Sequence, residues 1–327
     1  MSDIIELVDE DTVEAYQRDG VVVLRGVLTD WVDVMRDGVA RNVAEPGPYW
    51  AENVPEGQPG RFVDDYCNWQ RIPEFERVAR ESALPDIARR LMRSEQVQFF
   101  HDHVLVKEPG TPRPTPWHSD APYYLVGGMQ SVSFWSPLDP VDDATLRVIA
   151  GSHRWERDVL PTRWLSEVDF YTEGDWEPVP DPDAEPDRFE VREWAMEPGD
   201  VLAFHFRAAH GARGNPTTTT RRVLSLRYVG DDARVVERPG PTSPPFPGHD
   251  MTPGDRLRGA LGNCETLVAE RLSGLCLDIE AEHVDTFVAE PSSHPRAHLA
   301  HSNHSDFLGH GDSTPQYDDA HAASLCL

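Results

Sequence analysis

From Gln96 onward, apolar and polar residues alternate in short runs that Pro- and Gly-rich turns repeatedly cut off, and this pattern limits the fold more than any other feature. Gln96 to Pro109, Met129 to Asp139, Thr145 to Gly151, Val201 to Phe206 after the Glu197 to Asp200 turn, and Arg221 to Gly230 each read as a strand. Strands this short, punctuated this often, bury one face each by closing or stacking into two sheets. The expected fold class is mainly β with flanking helices around a double-stranded β-helix core, a jelly roll of the cupin-like kind.

The first ninety residues carry the helices. Asp11 and Thr12 can cap a helix over Val13 to Gly20, Val21 to Gly26 is an apolar β-branched run, and Thr29 or Asp30 can cap a helix through Glu45. Gly47 to Gly60 reads as a loop. Arg61 to Phe75 mixes aromatics with Asp64, Asp65, Asn68 and Gln70, and Pro85 to Ser94 is helix-like. An acidic, Pro-rich insertion at 156–188 contains Trp164, Phe170, Tyr171 and Trp176, a composition that fits a lid at a barrel mouth or a solvated excursion. The chain of 327 residues is expected to hold one domain at 1–258, followed by a His-rich, partly disordered extension at 259–327.

Charge narrows the partners. With 30 basic and 57 acidic residues the formal charge is −27, which repels phosphate backbones and anionic membranes, so no nucleic acid and no membrane are expected. No run reaches the roughly 18 apolar residues of a membrane span, and the acidic start does not read as a secretory leader. A cytoplasmic location is expected. Cys67, Cys264, Cys276 and Cys326 have no paired close spacing, which argues against a zinc ribbon or disulfide framework. A homo-oligomer is left open.

The chemistry sits in Pro114 to Tyr124 and Ala208 to Tyr228. His118 and Asp120 stand two apart, and on an extended chain alternate residues share a side. An imidazole and a carboxylate can thus reach one metal ion, with the distant His210 as a third corner. Two histidines and a carboxylate on one face of Fe(II) leave the other face open for a co-substrate and dioxygen.

At these residues the chain resembles the phytanoyl-CoA dioxygenase family, from about Asp11 to Arg258. The pattern is His-X-Asp, a distant His, then Arg eleven residues later, and His118, Asp120, His210 and Arg221 meet it in order, with a similar Thr145 to Trp155 segment between. The resemblance implies an Fe(II)- and 2-oxoglutarate-dependent dioxygenase using O2, with His118, Asp120 and His210 as metal ligands. It selects His210 over His205, because only His210 precedes a Gly and stands eleven before an Arg. Arg221 would anchor the distal carboxylate of 2-oxoglutarate as a fixed bidentate donor; Arg222, on the other strand face, is the alternative. Trp135 matches a position beside the co-substrate. Lys107 and His103 share a strand face and are further candidates for contact, with a structural role as the competing reading. A carboxylate at Asp120, where related halogenases have a small residue, argues for hydroxylation.

For the substrate, Tyr123, Tyr124, Asn68, Trp69 and Arg227 are the candidates, an aromatic wall with a few polar groups that suits a small, partly polar metabolite. Arg227 can meet a substrate carboxylate or phosphonate, or pair with Asp231 or Asp232. Two functions compete with oxygenation: a jelly-roll metal-binding protein without turnover, and a cupin-like isomerase or dioxygenase that does not use 2-oxoglutarate.

Overall fold

The structure, a computed structural model, describes residues 8–246 and 249–257 and the backbone of 266–267. The N-terminal part builds a helical layer. Helix α1 (Glu10–Asp19) starts where Asp9 accepts a hydrogen bond from the Thr12 amide at 2.8 Å, so the cap lies two residues before the expected Asp11. It ends at Gly20, whose φ of 73° returns its N–H to Tyr16 O and turns the chain into β1 (Val21–Leu24). Residues 29–31 form a 3-10 turn running into α2 (Val32–Ala44) without the side-chain cap expected from Thr29 or Asp30.

The segment read as loop and mixed aromatics contains two strands and a helix. These are β2 (Ala51–Glu52), β3 (Phe62–Tyr66) and α3 (Pro73–Glu81); α4 (Leu84–Met92) lies where a helix was expected. Pro sits in the first turn of both α3 and α4, where its missing N–H has no partner to lose.

The strands from Gln96 onward follow the alternation. They are β4 (Val97–Lys107), β5 (Thr115–His118), β6 (Val126–Gly127), β7 (Ser131–Pro137), β8 (Leu146–Ile149), β9 (Val191–Arg192), β10 (Val201–Phe204), β11 (His210–Ala212), β12 (Arg221–Val229) and β13 (Arg234–Val235). One sheet runs β1-β10-β7-β12-β4-β3-β2 and a second β5-β11-β8-β9, each pair of neighbouring strands antiparallel, which gives the two-sheet jelly-roll arrangement. The backbone of Thr266–Leu267 pairs with β4; the rest of the expected extension lies outside the described residues. No helix among the described residues is long and apolar enough to cross a membrane.

The large sheet has two different faces. Val104, Val106, Phe134, Leu224, Leu226 and Tyr228 pack with Met35, Val39, Phe75, Val78, Ile87 and Leu91 of the helices. The opposite positions, among them Leu105, Trp135, Leu202 and Val223, join the core between the sheets. On β4 the alternation changes parity, because Val97 and Phe99 also face the helices. A β-bulge opposite Arg227 and Tyr228 absorbs the extra residue and turns His101 and His103 onto the inter-sheet face.

Candidate metal centre

His118 ends β5, His210 begins β11, and the two are register partners. Their ring centroids stand 4.2 Å apart. Gly211 allows this approach: a Cβ there would lie 3.1 Å from Thr115 O and 3.2 Å from the Trp117 ring. Asp120 does not continue the extended chain as the i, i+2 reading expected. Its backbone is right-handed helical (φ −71°, ψ −37°) and opens a 3-10 turn over Ala121–Tyr123, which brings its carboxylate beneath both rings.

Ligand atoms of His118, Asp120 and His210 all lie within 4.8 Å of one another, the one such group found among the described residues. Asp120 Oδ1 is 3.6 Å from His118 Nε2 and 3.7 Å from His210 Nε2. On each imidazole, Nδ1 lies against a backbone carbonyl, Pro116 O at 2.8 Å and Ala208 O at 2.9 Å, so Nδ1 carries the proton and Nε2 offers its lone pair inward. Asp120 Oδ1 is buried and has no hydrogen-bond donor. Leaving a buried carboxylate oxygen without a donor is unfavourable because its lost hydration is not replaced, and a cation between these three atoms offsets that cost. The donor set fits a divalent metal ion.

The electrostatics point the same way. Burial alone would raise the Asp120 carboxyl, but the Arg227 charge, with His118 and His210, holds it well below the usual carboxylate range. Burial, then the neighbouring His118, pulls His210 down to about 3, so it stays a neutral ligand. Asp120 Oδ2 accepts from Arg227 Nε at 3.3 Å and Ser133 Oγ at 3.3 Å, and Arg227 Nη2 stands 3.2 Å away in the same ion pair.

Arg221 and Trp135 line the same cavity as the three residues, with the Arg221 guanidinium carbon 5.8 Å from the Trp135 ring. Arg221 Nη1 donates to Ala144 O at 3.0 Å, while its buried Nε has no partner, so one edge of the fork is open to an acceptor. Burial pushes its pKa down to about 10, which still leaves it charged at neutral pH. Arg222 faces the other way and pairs with Asp139. Lys107 stands opposite Arg221 in register but does not line the cavity: its ammonium donates to Arg213 O at 3.0 Å over the Phe62 ring, and burial holds it well below the usual lysine value.

The five substrate candidates separate. Tyr124 is buried beside Arg227, whose guanidinium carbon is 5.9 Å from its ring, and its hydroxyl has no hydrogen-bond partner. Tyr123 packs edge-on against His118, yet its hydroxyl is taken by Thr162, donating to the carbonyl at 2.7 Å and accepting from the amide at 2.8 Å. Asn68 and Trp69 are corrected: their amides cap the Asp102 carboxylate, Trp69 packs in the helix-facing core against Phe99, and neither lines the cavity. Arg227 lines the cavity, and only its alternative pairing with Asp231 or Asp232 is corrected. It binds Asp120, while Asp231 and Asp232 accept backbone amides of 95–96 and 129–130. His205, the rejected alternative, bonds to Met129 O at 2.8 Å outside the cluster.

Of the two further candidates on β4, His103 reaches the cavity, and Trp164 joins it from the insertion. His103 lines the cavity and pairs with Asp64 at 2.9 Å, a partner hidden because Phe62 to Tyr66 does not look like a strand. Trp164, from the 156–188 insertion, also lines the cavity, 5.1 Å from the His118 ring and stacked at 5.9 Å on Phe62. The aromatics of the insertion were the available signal.

The sequence profile of the family described as Phytanoyl-CoA dioxygenase (PhyH) matches residues 16–223. Solved structures of similar fold include the non-heme alpha ketoglutarate dependent carbocyclase SnoK from nogalamycin biosynthesis, at 22% sequence identity over 80% of this chain and 98% of that chain, TM-score 0.61. EctD from S. alaskensis, crystallised with 2-oxoglutarate and 5-hydroxyectoine, matches at 23% identity over 73% and 82%, TM-score 0.57. AviO1 from Streptomyces viridochromogenes Tue57 matches at 20% over 68% and 95%, TM-score 0.52. No curated protein matches this chain.

Proposed function

The chain belongs to the phytanoyl-CoA dioxygenase family, and on that premise we propose that it is an Fe(II)- and 2-oxoglutarate-dependent dioxygenase that hydroxylates a small-molecule metabolite. One observation carries the reading. His118 Nε2, His210 Nε2 and the unpaired Asp120 Oδ1 converge in a buried pocket that also holds Arg221.

When bound, iron and 2-oxoglutarate supply dioxygen activation and the oxidising equivalent: the substrate C–H and O2 become C–OH, and 2-oxoglutarate leaves as succinate and CO2. The chain's own residues do the rest. His118, Asp120 and His210 hold the metal. Arg221 takes the distal carboxylate through its free edge, a charge-assisted contact in a dry setting. Trp135, Leu105 and Leu146 wall that space and exclude water, and Trp164 covers it from the insertion. The carboxylate at Asp120 supports hydroxylation over halogenation. The formal charge of −27 supports a small, partly polar substrate over one carrying an anionic coenzyme A handle.

The test is succinate release from 2-oxoglutarate in air, with and without Fe(II), while metabolites are screened for stimulation. Iron-dependent succinate above the Arg221→Ala background, matched by a hydroxylated product, supports the proposal. A protein that binds metal and gives no succinate is a binder or a cofactor-free cupin instead.

A further inference from the structure

We infer that Arg227, backed by His103 and Asp64, confines Asp120 to one metal-facing oxygen and thereby keeps a coordination position free for 2-oxoglutarate. This rests on the reading of the three-residue centre as an iron site.

The sheet register builds the device. Arg227 and Ser133 are cross-strand partners on β12 and β7, and both donate to the same atom, Asp120 Oδ2. Oδ1 is left bare toward the two Nε2 atoms. A carboxylate whose second oxygen is free can turn and chelate a metal with both. Here Oδ2 is held by a guanidinium edge and a hydroxyl, so that rotation has to break charge-assisted hydrogen bonds inside the protein.

Arg227 is itself fixed from behind. Its Nη2 lies 3.3 Å from His103 Nδ1. A guanidinium only donates, so Nδ1 is the accepting nitrogen and His103 Nε2 carries the proton, which it donates to Asp64 Oδ2 at 2.9 Å. Asn53 Nδ2 donates to Asp64 Oδ1 at 2.5 Å. Asn53, Asp64, His103, Arg227 and Asp120 are each at most 4% exposed. The bulge on β4 turns His103 to this face, so the line of contacts depends on it.

Charge explains why the arrangement holds Arg227 in place. One guanidinium lies between the Asp120 carboxylate and the Asp64–His103 pair, so its charge is already matched. It is therefore a positioning residue for Asp120; its third nitrogen, Nη1, is buried without a hydrogen-bond partner.

The experiment is an anaerobic titration of the full chain with Fe(II) and then 2-oxoglutarate, following the visible charge-transfer absorption of the iron-bound 2-oxo acid. Wild type is compared with Arg227→Met, Arg227→Lys and Asp64→Asn. Arg227→Met should still take up Fe(II), since removing a nearby cation does not weaken a divalent ion, but should need about tenfold more 2-oxoglutarate for half-saturation and show a displaced band. Asp64→Asn, which alters no cavity-lining residue, should shift the midpoint in the same direction by less. A 2-oxoglutarate midpoint and band in Arg227→Met equal to wild type overturn the inference. If Arg227→Met does not fold, Arg227→Lys decides, with a raised midpoint in support and an unchanged one against. Wild type that takes up no Fe(II) overturns the iron reading, and this inference with it.

Discussion

His118 and His210 face each other across neighbouring antiparallel strands, in register, with ring centroids 4.2 Å apart and both Nδ1 atoms tied to carbonyls of their own chain segments. The rings are thus oriented before any metal arrives. Such pre-orientation spares the binding step the entropy of fixing two side chains.

Replacing either histidine by Ala, or Asp120 by Asn, should abolish Fe(II)-dependent turnover while the far-UV circular dichroism stays that of wild type. Asp120→Ala is the poorer test. It strands the buried Arg227 charge, and breaking a buried pair costs about 3–5 kcal/mol. Full activity in any of these variants removes that residue from the centre.

Arg221 and Arg222 make an internal control. Losing a charge-assisted anchor in a buried pocket costs about 1.5–3 kcal/mol, so Arg221→Ala should raise the 2-oxoglutarate requirement by roughly 10- to 150-fold at unchanged folding. Arg222→Ala loses a partly exposed pair with Asp139 and should change stability by at most about 1 kcal/mol and the co-substrate requirement not at all. Reversed effects, measured by succinate kinetics, would exchange their roles.

The metal-free protein should be acid-labile well above the carboxylate range. Burial pulls His205 and His210 down from 6.5 to about 3. A depressed histidine contributes stability that is complete above pH 6.5 and is lost as pH falls toward 3, because the unfolded chain binds the proton first. Burial raises Asp102 from 3.8 to about 6, which works in the opposite sense, losing stability as pH rises through 6. From pH 7.5 to 5.5 the buried imidazoles, with His101, His103 and His153 shifted in the same direction, lose more stability than Asp102 regains, a net loss on the order of 2 kcal/mol. Urea midpoints at the two pH values measure this; equal midpoints contradict it.

Tyr123 ties the insertion to the centre through its two hydrogen bonds with Thr162. Tyr123→Phe removes two hydrogen bonds to the half-buried Thr162 backbone and should cost about 1 kcal/mol. Faster amide hydrogen exchange across 159–171 than in wild type is expected. Exchange unchanged there would mean that the insertion is held by its other contacts, among them Trp164 packing, Arg113 with Glu167 and Tyr171 with Pro241 O.

The alternation from Gln96 onward made five strands legible, because burial between sheets and helices selects period 2 directly. The triad was legible for a related reason: ligands must be side chains of a few types, and their spacing survives in the sequence. What failed was non-local. Phe62 to Tyr66 hides a fully buried strand because Asp64 and Asp65 find partners in His103 and Asn42, which no local pattern announces. Arg227 was weighed against Asp231 and Asp232, near in sequence, while its partner Asp120 lies across the fold. The parity change on β4 comes from a bulge set by pairing with β12, and Asn68 and Trp69 are drawn to Asp102, which sits just past it.

The most direct measurement is an anaerobic crystal structure of the protein soaked with Fe(II) and 2-oxoglutarate, with anomalous data at the iron edge. One peak should lie between His118 Nε2, His210 Nε2 and Asp120 Oδ1, with the distal carboxylate on Arg221 and Asp120 Oδ2 still on Arg227. No peak there, or one held by other side chains, would contradict the account.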